Sequence, residues 1–169
     1  MKTLALPDGP FVSGFARLLT QGGEQADYPS YREAQAPLHV CRQMEAGRSL
    51  EWETAAVPAD WPSNEVIFVF AGGLGWVSQP KSGGFALLLN GEQLLKFDMA
   101  PQGGTWSGED GKAKLRFVVR KNLPEDALGL FYLTVPADRI KRGEPCRLLV
   151  RSEARGSRRW FGLNPYSFD

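Results

Sequence analysis

The chain has 169 residues and a formal net charge of +1, with 20 lysines and arginines against 19 acidic residues. This length suits one domain, and a chain of this size buries enough surface to fold without a metal or a disulfide staple. Binding to nucleic acid or to an anionic membrane surface depends on an excess of basic residues. The balanced charge therefore predicts neither a nucleic-acid partner nor a membrane partner.

The N-terminal ten residues do not resemble a secretory signal. Their short apolar stretch breaks at Pro7, Asp8 and Gly9, whereas a signal needs about 7–15 apolar residues in a row. No segment approaches the roughly 20 apolar residues of a membrane span. These features fit either a cytoplasmic protein or a secreted domain whose signal has been removed. Cys41 and Cys146 are interpreted as buried free thiols, with a single bridge between them as the alternative.

Glycine and proline interrupt the chain throughout. There are 19 glycines and 12 prolines, and few gaps between them could hold a helix of three turns. Short apolar runs between turn residues are typical of an all-β sandwich. We predict an all-β fold, a two-sheet antiparallel β-sandwich of the jelly-roll type with at most short helical turns, formed by residues 1–169 as a single domain. Residues 1–48 are expected to wrap the sandwich, with a helical turn at 15–19 and a strand beginning at 38–41.

The most readable part of the chain starts at Ser49. Apolar and polar residues alternate over 49–55, which predicts a strand with Leu50, Trp52 and Thr54 on one face. The continuous apolar run at 66–71 predicts a central strand covered on both faces. Asn90-Gly91 lies between the apolar runs at 85–89 and 93–98, and this dipeptide is typical of a type I′ hairpin turn.

The remaining segments continue the same pattern. Residues 102–112 contain four glycines and are predicted as an exposed loop. Further strands are expected at 113–120, 129–135, 146–151 and 158–163, with a tight turn at 136–140. No crossover helices are available for a parallel α/β fold.

The hairpin Gly84–Glu92 and the late block Gly143–Arg151 give this organisation a family likeness. It resembles the galactose-binding-like β-sandwiches, which occur as carbohydrate-binding modules and as accessory domains of glycoside hydrolases. The shared motifs describe topology rather than chemistry. The resemblance therefore implies the fold and a general binding role, and it assigns no particular ligand residue.

The usual catalytic motifs are missing from the sequence. His39 is the one histidine, so no multi-histidine metal site is predicted. His39 and Cys41 share a strand face and could pair, although a structural histidine is the simpler interpretation. There is no GxSxG motif, P-loop or dinucleotide fingerprint.

Aromatic side chains beside polar groups are the positive evidence for binding, because sugar rings stack on indole or phenol rings while polar neighbours bind the hydroxyls. Each member of the set also has a structural alternative, at the edge of the core or in an ion pair. The arginines could bind carboxylates or sulfates in a bidentate manner, which would favour acidic sugars. The predicted ligand-binding residues are Trp76, Trp106, Arg158, Arg159, Trp160 and Tyr166.

Carboxylates supply the other candidates. Glu51 and Glu53 would lie on one strand face at a spacing that a glycosidase pair could use, and they are the catalytic candidates. Asp98 is the candidate ligand of a structural Ca²⁺, and no other cofactor is predicted.

Three functions remain open from the sequence. The first is a non-catalytic module that binds a glycan or another small-molecule ligand by aromatic stacking with arginine and polar support. The second is a small glycan-active enzyme with carboxylates in the sandwich concavity. The third is a structural or homo-oligomerisation domain. In each case the domain could belong to a larger parent enzyme.

Overall fold

The computed structural model describes residues 9–20, 24–26, 38–42, 48–76, 84–153 and 159–164, with the backbone alone described at 24–26 and 38–42. Within these ranges the regular structure is almost entirely β-strand, apart from one 3-10 turn. The described residues include no helix with the length and apolar character that crossing a bilayer requires.

The described residues form thirteen strands. In chain order they are β1 (Val12–Ser13), β2 (Arg17–Leu18), β3 (Glu24–Ala26), β4 (Leu38–Arg42), β5 (Ser49–Ala56), β6 (Glu65–Gly75), β7 (Phe85–Leu89), β8 (Glu92–Phe97), β9 (Gly104–Ser107), β10 (Lys114–Asn122), β11 (Asp126–Pro136), β12 (Pro145–Ser152) and β13 (Trp160–Asn164). The 3-10 helix Ala137–Arg139 lies between β11 and β12.

Two sheets make up the fold. The larger sheet has the order β3-β4-β13-β6-β11-β10-β9, and the smaller has the order β2-β5-β12-β7-β8. The four strands β4-β13-β6-β11 of the larger sheet and the four strands β5-β12-β7-β8 of the smaller sheet have the strand order of a jelly roll. The hairpin β9–β10 adds two further strands to the larger sheet. The predicted all-β, two-sheet sandwich is confirmed.

β6 is completed by two different strands along one side. β13 pairs antiparallel with its second half, from Ala71 to Gly75. β1 pairs with its first half in parallel, with Val12 opposite Phe68. This parallel contact is the exception in sheets that otherwise pair antiparallel.

The core is a cluster of aromatic rings between the sheets. Phe131 stacks on Phe117 with ring centroids 4.4 Å apart, and its edge meets Phe161 at 5.5 Å. Trp52 is fully buried, and its indole Nε1 donates a hydrogen bond to the carbonyl of Gly14. Such offset and edge-on ring pairs contribute stability beyond the area they bury.

The Asn90-Gly91 hairpin is confirmed. Asn90 has φ of 49° and Gly91 has φ of 88°, so both central residues lie in the left-handed region that a type I′ turn requires. The Asn90 side chain also accepts a hydrogen bond from the backbone N–H of Arg147, at 2.8 Å. The turn is therefore attached to β12 as well as joining β7 to β8.

Three details of the chain differ from the predictions. Residues 102–112 are not a continuous loop, because β9 pairs with β10 across this segment. The segment 15–19 contains β2, at Arg17–Leu18, rather than a helical turn, because β5 offers these two residues a strand partner. The central strand continues past residue 71 to Gly75, since glycines at 72, 73 and 75 let neighbouring strands approach closely.

Candidate functional site

One end of the sandwich gathers polar side chains from both sheets. The register places Asp126 and Trp160 opposite Gly75 on the two neighbours of β6. The residues one step beyond are Trp76, Glu125 and Arg159, and the Trp76 N–H donates to the Glu125 carbonyl at 3.1 Å. β8 of the smaller sheet runs to the same end and is followed by Asp98. We call Trp76, Asp98, Glu125 and Arg159 the loop end.

An ion pair joins the two sheets at the loop end. Arg159 Nη1 lies 2.8 Å from Asp98 Oδ1, and the arginine side chain is 8% exposed while the aspartate side chain is 39% exposed. The same Oδ1 accepts the backbone N–H of Met99 at 2.7 Å. Asp98 thus serves as an ion-pair partner in this structure. Among the described residues there is no group of three or more histidines, cysteines or carboxylates that could hold a metal ion.

The three candidate tryptophans occupy different environments. Trp76 is half-buried at the margin of the core. Trp106 lies in β9, where it is half-buried against the core and its ring centroid lies 5.8 Å from that of Phe97. Trp160 is 1% exposed and lies across Gly73 and Gly75. Trp76 and Trp106 are both half-buried, and of these two Trp76 is the one at the loop end.

Two further candidates, Arg158 and Tyr166, lie outside the described residues, as do the side chains of His39 and Cys41. Cys146 is a buried free thiol. Burial raises the pKa of this thiol above its ordinary value of 9.0, and hydrogen bonds with Thr54 and Asn90 offset part of the increase. A raised pKa keeps the sulfur protonated and unreactive at neutral pH.

Glu51 and Glu53 are engaged on the outer face of the smaller sheet. Arg147 Nη2 lies 2.9 Å from Glu51 Oε1, and Arg17 Nη2 lies 2.9 Å from Glu53 Oε2. The alternation of β5 turns Leu50 and Trp52 into the core and these carboxylates away from it. They form a ladder of surface ion pairs and do not face a concavity between the sheets.

A cleft that the sequence did not predict lies where the edges of β8 and β9 face each other. It encloses about 630 Å³, within the range of ligand sites in proteins. Its floor is buried and apolar, and it is formed by Leu94, Leu95 and Ala113. Its polar walls are formed by Gln93, Lys96, Ser107, Glu109, Asp110 and Arg139.

Two local features of the backbone shape this cleft. A β-bulge at Leu94 interrupts the pairing of β8 with β7, and such bulges change the direction of neighbouring side chains. Gly108 lets the β9–β10 turn close over β8, because a Cβ atom there would lie 2.5 Å from the Leu94 carbonyl oxygen. A larger residue at position 108 would lift the turn and open the cleft.

Asp110 holds the wall of the cleft in place. Its Oδ1 accepts the backbone N–H of Lys112 at 2.9 Å, and its Oδ2 lies 3.1 Å from Arg139 Nη2. The Lys112 N–H, together with the charge of Arg139, lowers the pKa of the Asp110 carboxyl below its ordinary value of 3.8. The carboxylate therefore stays ionised throughout the neutral range, and it keeps Arg139 oriented.

Sequence reasoning missed the cleft because its parts come from three separate segments of the chain. One signal was available, since Asp110 followed by Gly111 is typical of a turn closed by the aspartate side chain. Nothing in the sequence places Arg139 beside that turn, because the contact depends on the packing of the two sheets.

Comparison of the chain with known protein families, with curated proteins and with solved structures finds no match. The fold places the chain in the broad class of two-sheet β-sandwich domains.

Proposed function

We propose that the protein is a non-catalytic carbohydrate-binding module of the galactose-binding-like kind, with its glycan site at the loop end. The observation that supports this most is the convergence of Trp76, Asp98, Glu125 and Arg159 at one end of the sandwich. These residues come from four different connections between strands. Their proximity combines an indole with carboxylates, which are the groups that saccharide binding needs.

Three residues of the loop end have distinct roles. Trp76 is half-buried, and its indole is the apolar surface proposed for the C–H face of a sugar ring. Asp98 is partly exposed, and Oδ2 is the carboxylate oxygen that the Arg159 contact leaves for ligand hydroxyls. Arg159 is a positioning residue, because its buried guanidinium fixes Asp98 before the ligand arrives. Such preorganisation reduces the entropy lost on binding.

These contacts favour a neutral glycan over an acidic one. The Arg159 guanidinium is paired with Asp98, so its charge is not available to the carboxylate of a uronate or to a sulfate. The oxygen that Asp98 leaves to a ligand accepts hydrogen bonds, which suits the hydroxyl groups of a neutral sugar. Glu51 and Glu53 are held in surface ion pairs, so no contact supports the alternative of a glycan-active enzyme that uses these carboxylates. A role as an accessory module of a larger parent enzyme agrees with the proposal.

The test is a binding screen of the purified protein on an array of neutral, uronic and sulfated oligosaccharides, followed by calorimetry on the hits. We expect neutral glycans to bind. Trp76→Ala should weaken that binding by about tenfold or more, since it removes the stacking surface. Trp106→Ala is the matched control, because it also removes an indole packed against the core and should leave the affinity within about twofold.

The outcomes separate cleanly. An array without hits would overturn the proposed function. Hits with equal affinity in Trp76→Ala and the wild type would place the glycan site elsewhere. Circular dichroism of both variants would establish that any loss of binding comes from a folded protein.

A further inference from the structure

We propose that the cleft between β8 and the β9–β10 turn is a second binding site, and that its ligand is a small zwitterion. Its lining residues are distinct from those of the loop end, and this proposal stands or falls independently of glycan binding. Its basis is the shape of the cleft and the arrangement of charge on its walls.

The shape excludes an extended peptide. β8 is the last strand of the smaller sheet, and an exposed edge strand ordinarily invites another strand to add to it. Here the turn closes over that edge, with the Gly108 backbone packed against the Leu94 carbonyl. An added strand would collide with this turn, so the space suits a small molecule.

The walls carry two charges of opposite sign that are available to a ligand. Asp110 and Arg139 already neutralise each other at 3.1 Å. Within the described part of the chain, the Lys96 ammonium and the Glu109 carboxylate form no ion pair. Both are exposed side chains on the rim of the cleft.

Charge complementarity then selects the ligand class. A simple anion would be attracted by the Lys96 ammonium but repelled by the Glu109 carboxylate. A simple cation would be attracted by Glu109 but repelled by Lys96. A molecule with a carboxylate at one end and an ammonium at the other matches both charges. The Arg139 guanidinium has further N–H donors beyond the one that Asp110 accepts, and these can donate hydrogen bonds to polar atoms of a ligand in the cleft.

The floor suits the middle of such a molecule. Leu94, Leu95 and Ala113 are buried and present apolar atoms between the charged walls. A short methylene chain between the two charged groups would cover this floor and exclude water from it. The ligand class is therefore an amino acid whose ammonium and carboxylate are separated by several carbons.

The experiment titrates the full chain with a series of linear amino acids, namely glycine, 4-aminobutyrate and 6-aminohexanoate, while amide NMR signals are followed. Hexanoate and hexylamine are the controls with one charge each. We expect the signals of Gly108, Gly111 and Lys112 to shift with one of the longer zwitterions. The singly charged controls should bind about tenfold more weakly.

Variants assign the effect to the cleft. Lys96→Gln and Glu109→Gln should each weaken zwitterion binding by about threefold to tenfold. Lys121→Gln, which removes a lysine outside the cleft, should leave binding unchanged, as should Trp76→Ala at the loop end. The proposal is overturned if no zwitterion shifts these signals at millimolar concentration. Equal binding of hexanoate or hexylamine would overturn it too.

Discussion

Trp160 shows how single glycines decide the environment of an aromatic side chain. The predicted ligand-binding indole is 1% exposed, because Gly73 and Gly75 leave room for it beside the backbone of β6. A Cβ atom at position 75 would overlap the indole ring around Nε1. Sequence alone could not place Trp160 here, since the glycines that accept it lie about 85 residues away and reach it only through strand pairing.

Gly75→Ala should therefore destabilise the protein by about 1–3 kcal/mol, the usual cost of overpacking a buried contact. The measurement is urea unfolding followed by fluorescence. Gly84→Ala is the matched control, because its new Cβ would lie 3.4 Å from the Phe97 carbonyl oxygen, close to ordinary contact distance. The control should stay within about 0.5 kcal/mol of the wild type. Equal stability of the two variants would show that Trp160 moves aside at no cost.

At the level of the element, the hairpin β7–β8 was the most predictable part of the fold. Asn90-Gly91 is a local signal, and it needs no partner elsewhere in the chain to be recognised. β9 was the least predictable strand, because Gly104 and the polar residues around Trp106 resemble a loop until β10 supplies the hydrogen-bonding partner. The sequence predicted strands that are marked by their own residues and turns, and it missed strands such as β9 that depend on pairing with another strand.

The same hairpin carries a prediction about backbone conformation. Gly91 has φ of 88°, and a Cβ atom at this position would meet nothing within 4 Å. Gly91→Ala should therefore cost about 1–2 kcal/mol through backbone strain alone. Gly91→Asn should cost less, because asparagine adopts the left-handed region more readily than alanine. Chemical denaturation of both variants tests this order, and a reversed order would contradict the turn assignment.

At the scale of the whole molecule, the sequence predicted the architecture better than the sites. Alternating strands and frequent turns are repeated throughout the chain, so the all-β sandwich could be recognised from many independent segments. The burial of Arg159, its contact with Asp98 and the meeting of Arg139 with Asp110 each depend on one long-range approach. No local sequence pattern indicates such long-range contacts, so the sequence alone could not show which candidate residues lie together in a site.

Chemical labelling of the buried Cys146 thiol reports the unfolding of the whole domain. In a Cys41→Ser chain it is the one remaining cysteine, and its thiol is buried in the native state. Disulfide-exchange labelling at neutral pH should therefore begin only at the denaturant concentration where the tryptophan fluorescence changes. Prompt labelling in the absence of denaturant would contradict the buried position of the thiol.

The raised pKa of Cys146 adds a pH dependence with a definite sign. The unfolded chain releases the thiol proton near 9.0, whereas the folded chain holds it to a higher pH. The contribution to stability is therefore complete below 9.0 and is lost as the pH rises through the folded-state value. Unfolding measurements between neutral and alkaline pH should show a steeper decline for the Cys41→Ser chain than for the same chain with Cys146→Ala.

The division of β6 between two partners gives the short strand β1 a protective role. β1 is only two residues long, yet it occupies the side of β6 at Phe68 and Val69 that β13 does not reach. On this side β1 is the terminal strand, since it pairs with β6 alone among the described residues. Without β1, the N–H and C=O groups of β6 at this point would form an unpaired sheet edge, which is the kind of edge to which other chains add a strand. The two-residue strand therefore protects the middle of the longest pairing surface of the larger sheet.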